Sequence, residues 1–147
     1  RPHTEIFKEA SIDTIRPVEY FYVQVPDKPG EGARALAALR QAGVNLLAYS
    51  GFPAGRQAQL DFVPENPAAF REAAKKAKWK VKGPKRGFLI QGDDRVGACS
   101  EILDKLAAAK INVTAMDAVV AGAGRWGAIL WVKSSAFKKA ARVLGAV

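Results

Sequence analysis

The chain repeats itself at a fixed spacing of 67 residues. VPDKPGEGARALAALRQAGVNL (25–46) and GDDRVGACSEILDKLAAAKINV (92–113) align without a gap, so Asp27, Gly30, Leu36, Leu39 and Asn45 fall on Asp94, Gly97, Leu103, Leu106 and Asn112. The match runs back to Phe21, Val23 and Gln24 over Phe88, Ile90 and Gln91, and on to Ala69, Phe70, Ala73 and Ala74 over Ala136, Phe137, Ala140 and Ala141. A unit of this length has enough strands and helices to close a core of its own, so the period means duplicated small domains and not a solenoid. The expected division of the 147 residues is an N-terminal segment at 1–17, a first domain at 18–83 and a second at 84–147. Domains of this size bury little surface alone, so they are expected to pack on each other, on a second chain, or both.

Each copy reads as strand, helix, strand, strand, helix. In the first, Val18–Val25 has the β-branched and aromatic content of a strand, with Phe21, Val23 and Val25 on one face and Tyr20, Tyr22 and Gln24 on the other. Gly30–Ala42 is a helix with Ala35, Leu36 and Leu39 as its buried stripe and Gly43 as its left-handed stop. In the second copy Cys99, Ile102, Leu103 and Leu106 form the stripe, and Lys110 replaces the stop glycine, so that helix is expected to end with some strain or by another geometry. Hairpins follow at Val44–Ser50 and Gln57–Val63 around GFPAGR, and at Ile111–Val120 and Arg125–Val132 around AGAG, where the offset is expected to rise to 69. Helices at Ala68–Ala77 and Ala136–Leu144 and a strand at Trp79–Lys82 complete the pattern. The fold class is therefore α+β: two ferredoxin-like βαββαβ units packed side by side, helices on one face of an antiparallel sheet. By the 67-residue offset, the second copy ends where its fourth strand should begin, so that strand is missing or supplied by the N-terminal segment, around Glu5–Phe7, or by another chain.

The third strands differ. Ala58, Leu60 and Phe62 alternate with Gln57, Gln59 and Asp61, which predicts one wet face in the first sheet. Gly127, Ile129 and Trp131 alternate with Trp126, Ala128, Leu130 and Val132, so both faces of the second are apolar. The outer one is expected to form an inter-domain or dimer interface, or to be covered by the N-terminal segment.

Composition narrows the function. No run of about 18 apolar residues lacks a charge, so no membrane-spanning helix is expected, and the chain is read as cytoplasmic. RPHTEIFKEASIDTIRP is too charged for a signal-peptide core, and a start at Arg1 is read as trimming or processing. One cysteine, Cys99, allows no intramolecular disulfide and no multi-cysteine metal site. The net charge of +9 is concentrated at 71–86, where eight basic residues face only Glu72. That pattern fits a helix end and a protected strand edge better than a nucleic-acid surface. The single histidine, His3, lies in the tail, and no nucleophile has an evident base, so no catalytic residue, metal site or cofactor is assigned.

The repeated feature that carries chemistry is the turn between first strand and first helix, PDKPGEG in one copy and DDRVGAC in the other. A glycine there lets the helix start with its amides pointing outward, which suits a carboxylate or phosphate. Asp27 and Asp94 beside it suit an ammonium group, so the pair has the complementarity of an α-amino acid. The alternative is that the aspartates only cap the helix.

VPDKPGEGARALAALRQAGVN, with its D-x-P-G turn and G-V-N after the helix, resembles an ACT domain such as those of aspartate kinases and phosphoglycerate dehydrogenases, and Asp94, Gly97 and Ile111–Asn112 repeat the resemblance. It covers about 18–147 as a tandem pair. The resemblance implies a regulatory protein that binds a small effector, commonly an amino acid, where units meet, and a homodimer as assembly. By matching positions Asp27 would meet the ligand amine, the backbone of Lys28, Pro29, Gly30 and Glu31 its carboxylate, and Asn45 and Leu46 would form a wall. Asp94, Arg95, Gly97, Ala98, Asn112 and Val113 would be the second site. Val96 stands where the first copy has Pro29, Arg95 is placed to neutralise Asp93 and Asp94, and the serine-responsive members' histidine is absent from Val25 and Gly92. The ligand is therefore expected mainly at the Asp27 turn and assembly mainly through the second copy. Two other functions compete: an RNA-binding ferredoxin-like pair using Tyr20, Tyr22 and RWGAILWV, and a ligand-free oligomerisation scaffold.

Overall fold

A computed structural model describes residues 13–146. The elements are β1 (Thr14–Pro26), α1 (Glu31–Gln41), β2 (Leu46–Ala54), β3 (Gln57–Pro64), α2 (Pro67–Lys76), β4 (Lys82–Asp93), α3 (Ala98–Ala108), β5 (Val113–Gly122), β6 (Arg125–Val132) and α4 (Phe137–Leu144). They fall into two compact units: Val18–Arg86, and a second made of 87–146 together with 13–17.

In the first unit the strand order is β2-β3-β1-β4, the ferredoxin-like order, with β4 represented by its first residues. Phe21 pairs with Phe62, and β2 and β3 are joined by a two-residue turn, since Ala54 pairs with Gln57. The alternation read from the sequence places Phe21, Val23, Leu60 and Phe62 under α1 and α2, where they meet Leu39 and Phe70. Phe70 stacks on Phe21 with ring centroids 4.9 Å apart, and Trp79 stacks on Phe62 at 5.8 Å. Trp79 is therefore a core residue in a non-strand segment, and the fourth strand begins at Lys82 and not at Trp79. α2 starts with Pro67 and is capped by the Asn66 side chain, which accepts from the Ala69 amide at 3.1 Å.

The second unit has the same order, β5-β6-β4-β1, with the N-terminal strand in the fourth place. Ile15 is 6 % exposed and joins Phe88, Ile90, Ile102, Leu106 and Leu130 in one core. The N-terminal segment thus fills the edge that the repeat leaves open, through residues from Asp13 onward; Glu5–Phe7 lie outside the described residues. Phe137 stacks on Phe88 at 4.6 Å.

Two local expectations are corrected. The hairpin loops are equal in length, because Gly122 pairs with Arg125 just as Ala54 pairs with Gln57. The second hairpin gains one residue, which is taken up as an irregularity between Val120 and Gly122, so Leu130 and not Trp131 matches Phe62. The wet face expected along β3 is confined to its start: Gln57 is exposed and Gln59 half-buried, whereas Asp61 and Val63 are buried and the Gln59 amide donates to Asp61 at 2.9 Å. The apolar outer face expected in the second unit is covered within a single chain, where Leu89, Ile129 and Trp131 are buried, so it does not call for a partner chain. Lys110 does end α3 in the left-handed conformation, φ 61°.

Candidate ligand sites at the strand–helix turns

Both turns are built on one backbone device. β1 breaks at Pro26, the Lys28 amide donates to the Pro26 carbonyl at 3.0 Å, and Gly30 enters α1 at φ 93°. After β4, the Asp94 amide donates to Gly124 at 2.8 Å and Gly97 enters α3 at φ 84°. A Cβ on either glycine would meet nothing within 4 Å, so backbone conformation and not lack of space requires glycine here. Neither helix has a side-chain cap, which removes the reading of Asp27 and Asp94 as capping residues. The first-turn amides have no intrahelical acceptor, and they carry the positive end of the helix dipole.

The charges around the turns differ. At the first, Glu31 receives Arg34 at 3.0 Å and Lys28 at 3.8 Å. At the second, Arg95 is a hub. Its guanidinium donates to both carboxylate oxygens of Asp13, at 3.0 and 2.8 Å, to Glu101 at 2.7 Å and to the Asp93 carbonyl at 2.9 Å. The Asp13 side chain is 4 % exposed and also accepts from the Trp126 indole at 3.2 Å. The hydrogen bonds from Arg95 hold the Asp13 carboxyl below its ordinary range, against the opposing effect of burial, with further help from Trp126 and the charges of Arg95 and Lys105. Glu101 is lowered by the same guanidinium, and Arg95 is raised in turn, first by Asp13. Asp93 pairs with Arg125 at 2.6 Å. Arg95 therefore does not neutralise the Asp93 and Asp94 carboxylates. Among the described residues the Asp27 and Asp94 carboxylates have no hydrogen-bond or ion partner.

Asp94, Arg95, Gly97 and Ala98 come together in a cavity of about 320 Å³, walled by Cys99, Ser100, Ala118, Val119, Val120 and Trp126. Asn112 and Val113 are not in it. Asn45 and Leu46 line a different groove with Leu36, Arg40 and Gly43, at the C-terminal end of α1. An 11-residue helix is roughly 16 Å long, so within one unit the Asp27 turn and the Asn45 wall lie at opposite ends. Asn45 instead ties β2 to the end of β3, since its carbonyl accepts from the Glu65 amide at 2.9 Å. Asp13 and Trp126 were not legible as site residues. Asp13 is 82 residues from Arg95 and precedes the repeat, and Trp126 reads as a strand residue. The described residues contain no group of three metal-ligating side chains, and none of their helices is long and apolar enough to cross a membrane.

No known protein family and no curated protein matches the sequence. The fold has clear neighbours among solved structures. Protein BT0572 from Bacteroides thetaiotaomicron superposes with a TM-score of 0.77 at 17 % identity, over 89 % of this chain and 88 % of that one. The ligand-free regulatory subunit of aspartate kinase from Thermus thermophilus gives 0.61 at 16 % identity, over 92 % and 95 %. The corresponding subunit from Thermus flavus gives 0.54 at 14 %, over 92 % and 97 %. At such identities the likeness concerns the fold, and it covers both units of the repeat. The chain thus shares its fold with the regulatory subunits of aspartate kinase, in agreement with the ACT-domain resemblance carried by its two turns.

Proposed function

We propose that this chain is a non-catalytic regulatory module that binds a small effector with an α-amino acid end, and that the Asp94 turn is its principal site. The observation that carries the reading is the cavity of about 320 Å³ in which an unpaired carboxylate, Asp94, stands beside uncapped amides of α3. The amides suit the effector's carboxylate and Asp94 its ammonium group, while Ala118, Val119 and Val120 offer an apolar wall to its side chain. Similarity in fold to regulatory subunits of aspartate kinase supports the same role. The Asp27 turn, with the backbone of Lys28, Pro29, Gly30 and Glu31, is the second candidate. We rank it second because the cavity at the second turn takes in Asp94 and Gly97 themselves, whereas the cavity beside the first turn takes in Glu31 but not Asp27 or Gly30.

Val119 and Val120 are 67 % and 59 % exposed on β5, at the rim of the cavity. A second copy seated on β5 would close the site, which makes a homodimer the assembly that fits this reading. RNA binding is disfavoured by the burial of Trp126 and Trp131, because stacking bases on a sheet needs exposed rings.

Thermal unfolding with each of the twenty amino acids tests the proposal. An effector at a hundred times its Kd adds about 2.7 kcal/mol to stability. The expected result is a shift with a small set of amino acids that is lost in Asp94→Asn and kept in Asp27→Asn. No shift with any amino acid would leave the scaffold function as the better account. A shift lost only in Asp27→Asn would move the site to the first turn.

A further inference from the structure

The two units differ most at the place beside their first strand. In the second unit that place is filled by residues 13–15: Asp13 lies against Gly92, and Ile15 joins the core that contains Ile90, Ala98 and Ile102. The charges of Arg95 and Lys105 act on the Asp13 carboxylate there. By the repeat, Ile90, Gly92, Ala98, Glu101, Ile102 and Lys105 correspond to Val23, Val25, Glu31, Arg34, Ala35 and Ala38. Those six residues of the first unit line a cavity of about 470 Å³, closed on its far side by Ala77, Lys78, Trp79 and Lys80. Residues 79–81 are not in a strand, and among the described residues no backbone hydrogen bond joins 77–81 to β1. The first unit thus has an open space where the second holds a chain segment and its carboxylate.

The lining has two characters. Val23, Val25, Ala35, Ala38 and Trp79 are apolar, while Arg34, Lys78 and Lys80 are cationic, with Glu31 engaged by Arg34 at 3.0 Å. Lys78 adds an independent sign. It ends α2 in the left-handed conformation, φ 61°, at the position where the second copy has Gly145, φ 66°. The lysine stands in a conformation that glycine would adopt without cost, and, unlike Lys110 with the same φ of 61°, it lines this cavity.

We propose that the cavity between β1, α1 and residues 77–80 binds a small organic acid, whose carboxylate meets Lys78 and Lys80 and whose apolar body lies along Val23, Ala38 and Trp79. The site is distinct from the Asp94 turn and does not depend on it. It fills in the first unit the role that Asp13 fills in the second.

The three tryptophans make the test direct. Hexanoate is titrated into the 15N-labelled protein and the indole N–H resonances are followed, with hexan-1-ol as the uncharged control. The expected result is a saturable shift of the Trp79 indole with hexanoate and not with hexanol, with Trp126 and Trp131 unmoved. Lys78→Gly should raise Tm yet weaken hexanoate binding at least tenfold, Lys80→Gln should weaken it without raising Tm, and Ala38→Leu should abolish it by filling the space. The proposal is overturned if Trp79 does not respond, if hexanol acts as well as hexanoate, or if Lys78→Gly and Lys80→Gln bind as the parent does. A response confined to Trp126 would also overturn it, and would report on the Asp94 turn instead.

Discussion

Replacing Asp13 by alanine removes the tie that holds the N-terminal strand in the second unit. The carboxylate is 4 % exposed and accepts hydrogen bonds from Arg95, at both oxygens, and from Trp126. Loss of its acceptor leaves the Trp126 N–H buried, since that residue is 4 % exposed, at a cost of about 1–3 kcal/mol. Arg95 is 28 % exposed and keeps Glu101 and the Asp93 carbonyl, so its loss is about 1 kcal/mol and not the 3–5 kcal/mol of a stranded buried charge. The sum is about 3 kcal/mol, or roughly 6–12 °C in Tm for a chain of this size. Urea unfolding of Asp13→Ala, Arg95→Ala and the double variant measures it, with an Asp13–Arg95 coupling energy of about 1 kcal/mol expected. Amide exchange at 14–17 should accelerate more than in the first unit. Because the Asp13 carboxyl is held below its ordinary range in the folded chain, its contribution is complete above about pH 4 and falls as pH drops through the folded value. The parent should therefore lose its advantage over the alanine variant only below about pH 4. A loss under about 0.5 kcal/mol, or additive single variants, would show that the contact is no more than a surface pair.

Two further substitutions probe the same architecture. A Cβ on Gly92 would overlap the Asp13 carboxylate and come within 3.0 Å of the Trp126 indole nitrogen, so Gly92→Ala should cost about 2–3 kcal/mol in urea unfolding. In an Asp13→Ala background that cost should largely vanish, and its persistence would refute the placement of the N-terminal strand. Lys110→Gly should relieve the left-handed strain at the end of α3 and stabilise the chain by about 0.5–1 kcal/mol, whereas a loss would mean that Lys110 makes a contact worth more than its strain.

Much of the fold was legible because the repeat supplied two readings of each element. Phe21 and Phe88, or Leu39 and Leu106, report on one buried position twice, and period-two and helical patterns agree between the copies. Reading failed where the copies diverge by a single residue. The gain between Val120 and Gly122 shifts β6 by one place, and strand periodicity alone cannot say whether an extra residue lies in a loop or a bulge. Trp79 looked like a strand residue because aromatic content favours strands, yet it serves as a core plug after α2.

The candidate sites were half legible. The turn glycines and the adjacent aspartates are local features, fixed by four or five consecutive residues, so sequence located them. The walls are contributed by residues distant in sequence, which no local pattern names: within its own unit Asn45 lies a helix length from Asp27, while Ala118, Val119, Val120 and Trp126 border Asp94.

Sequence by itself determined that there are two βαββα units with a glycine turn and a carboxylate at the head of each first helix, because hydrophobic period and turn chemistry are properties of short segments. Tertiary structure decided what each unit does with its open edge. In the second, Asp13 reaches Arg95 across 82 residues and closes it. In the first, Trp79 turns into the core before β4 begins, and a cavity remains. The energy of such a contact depends on which distant groups share a buried space, and no local pattern encodes that.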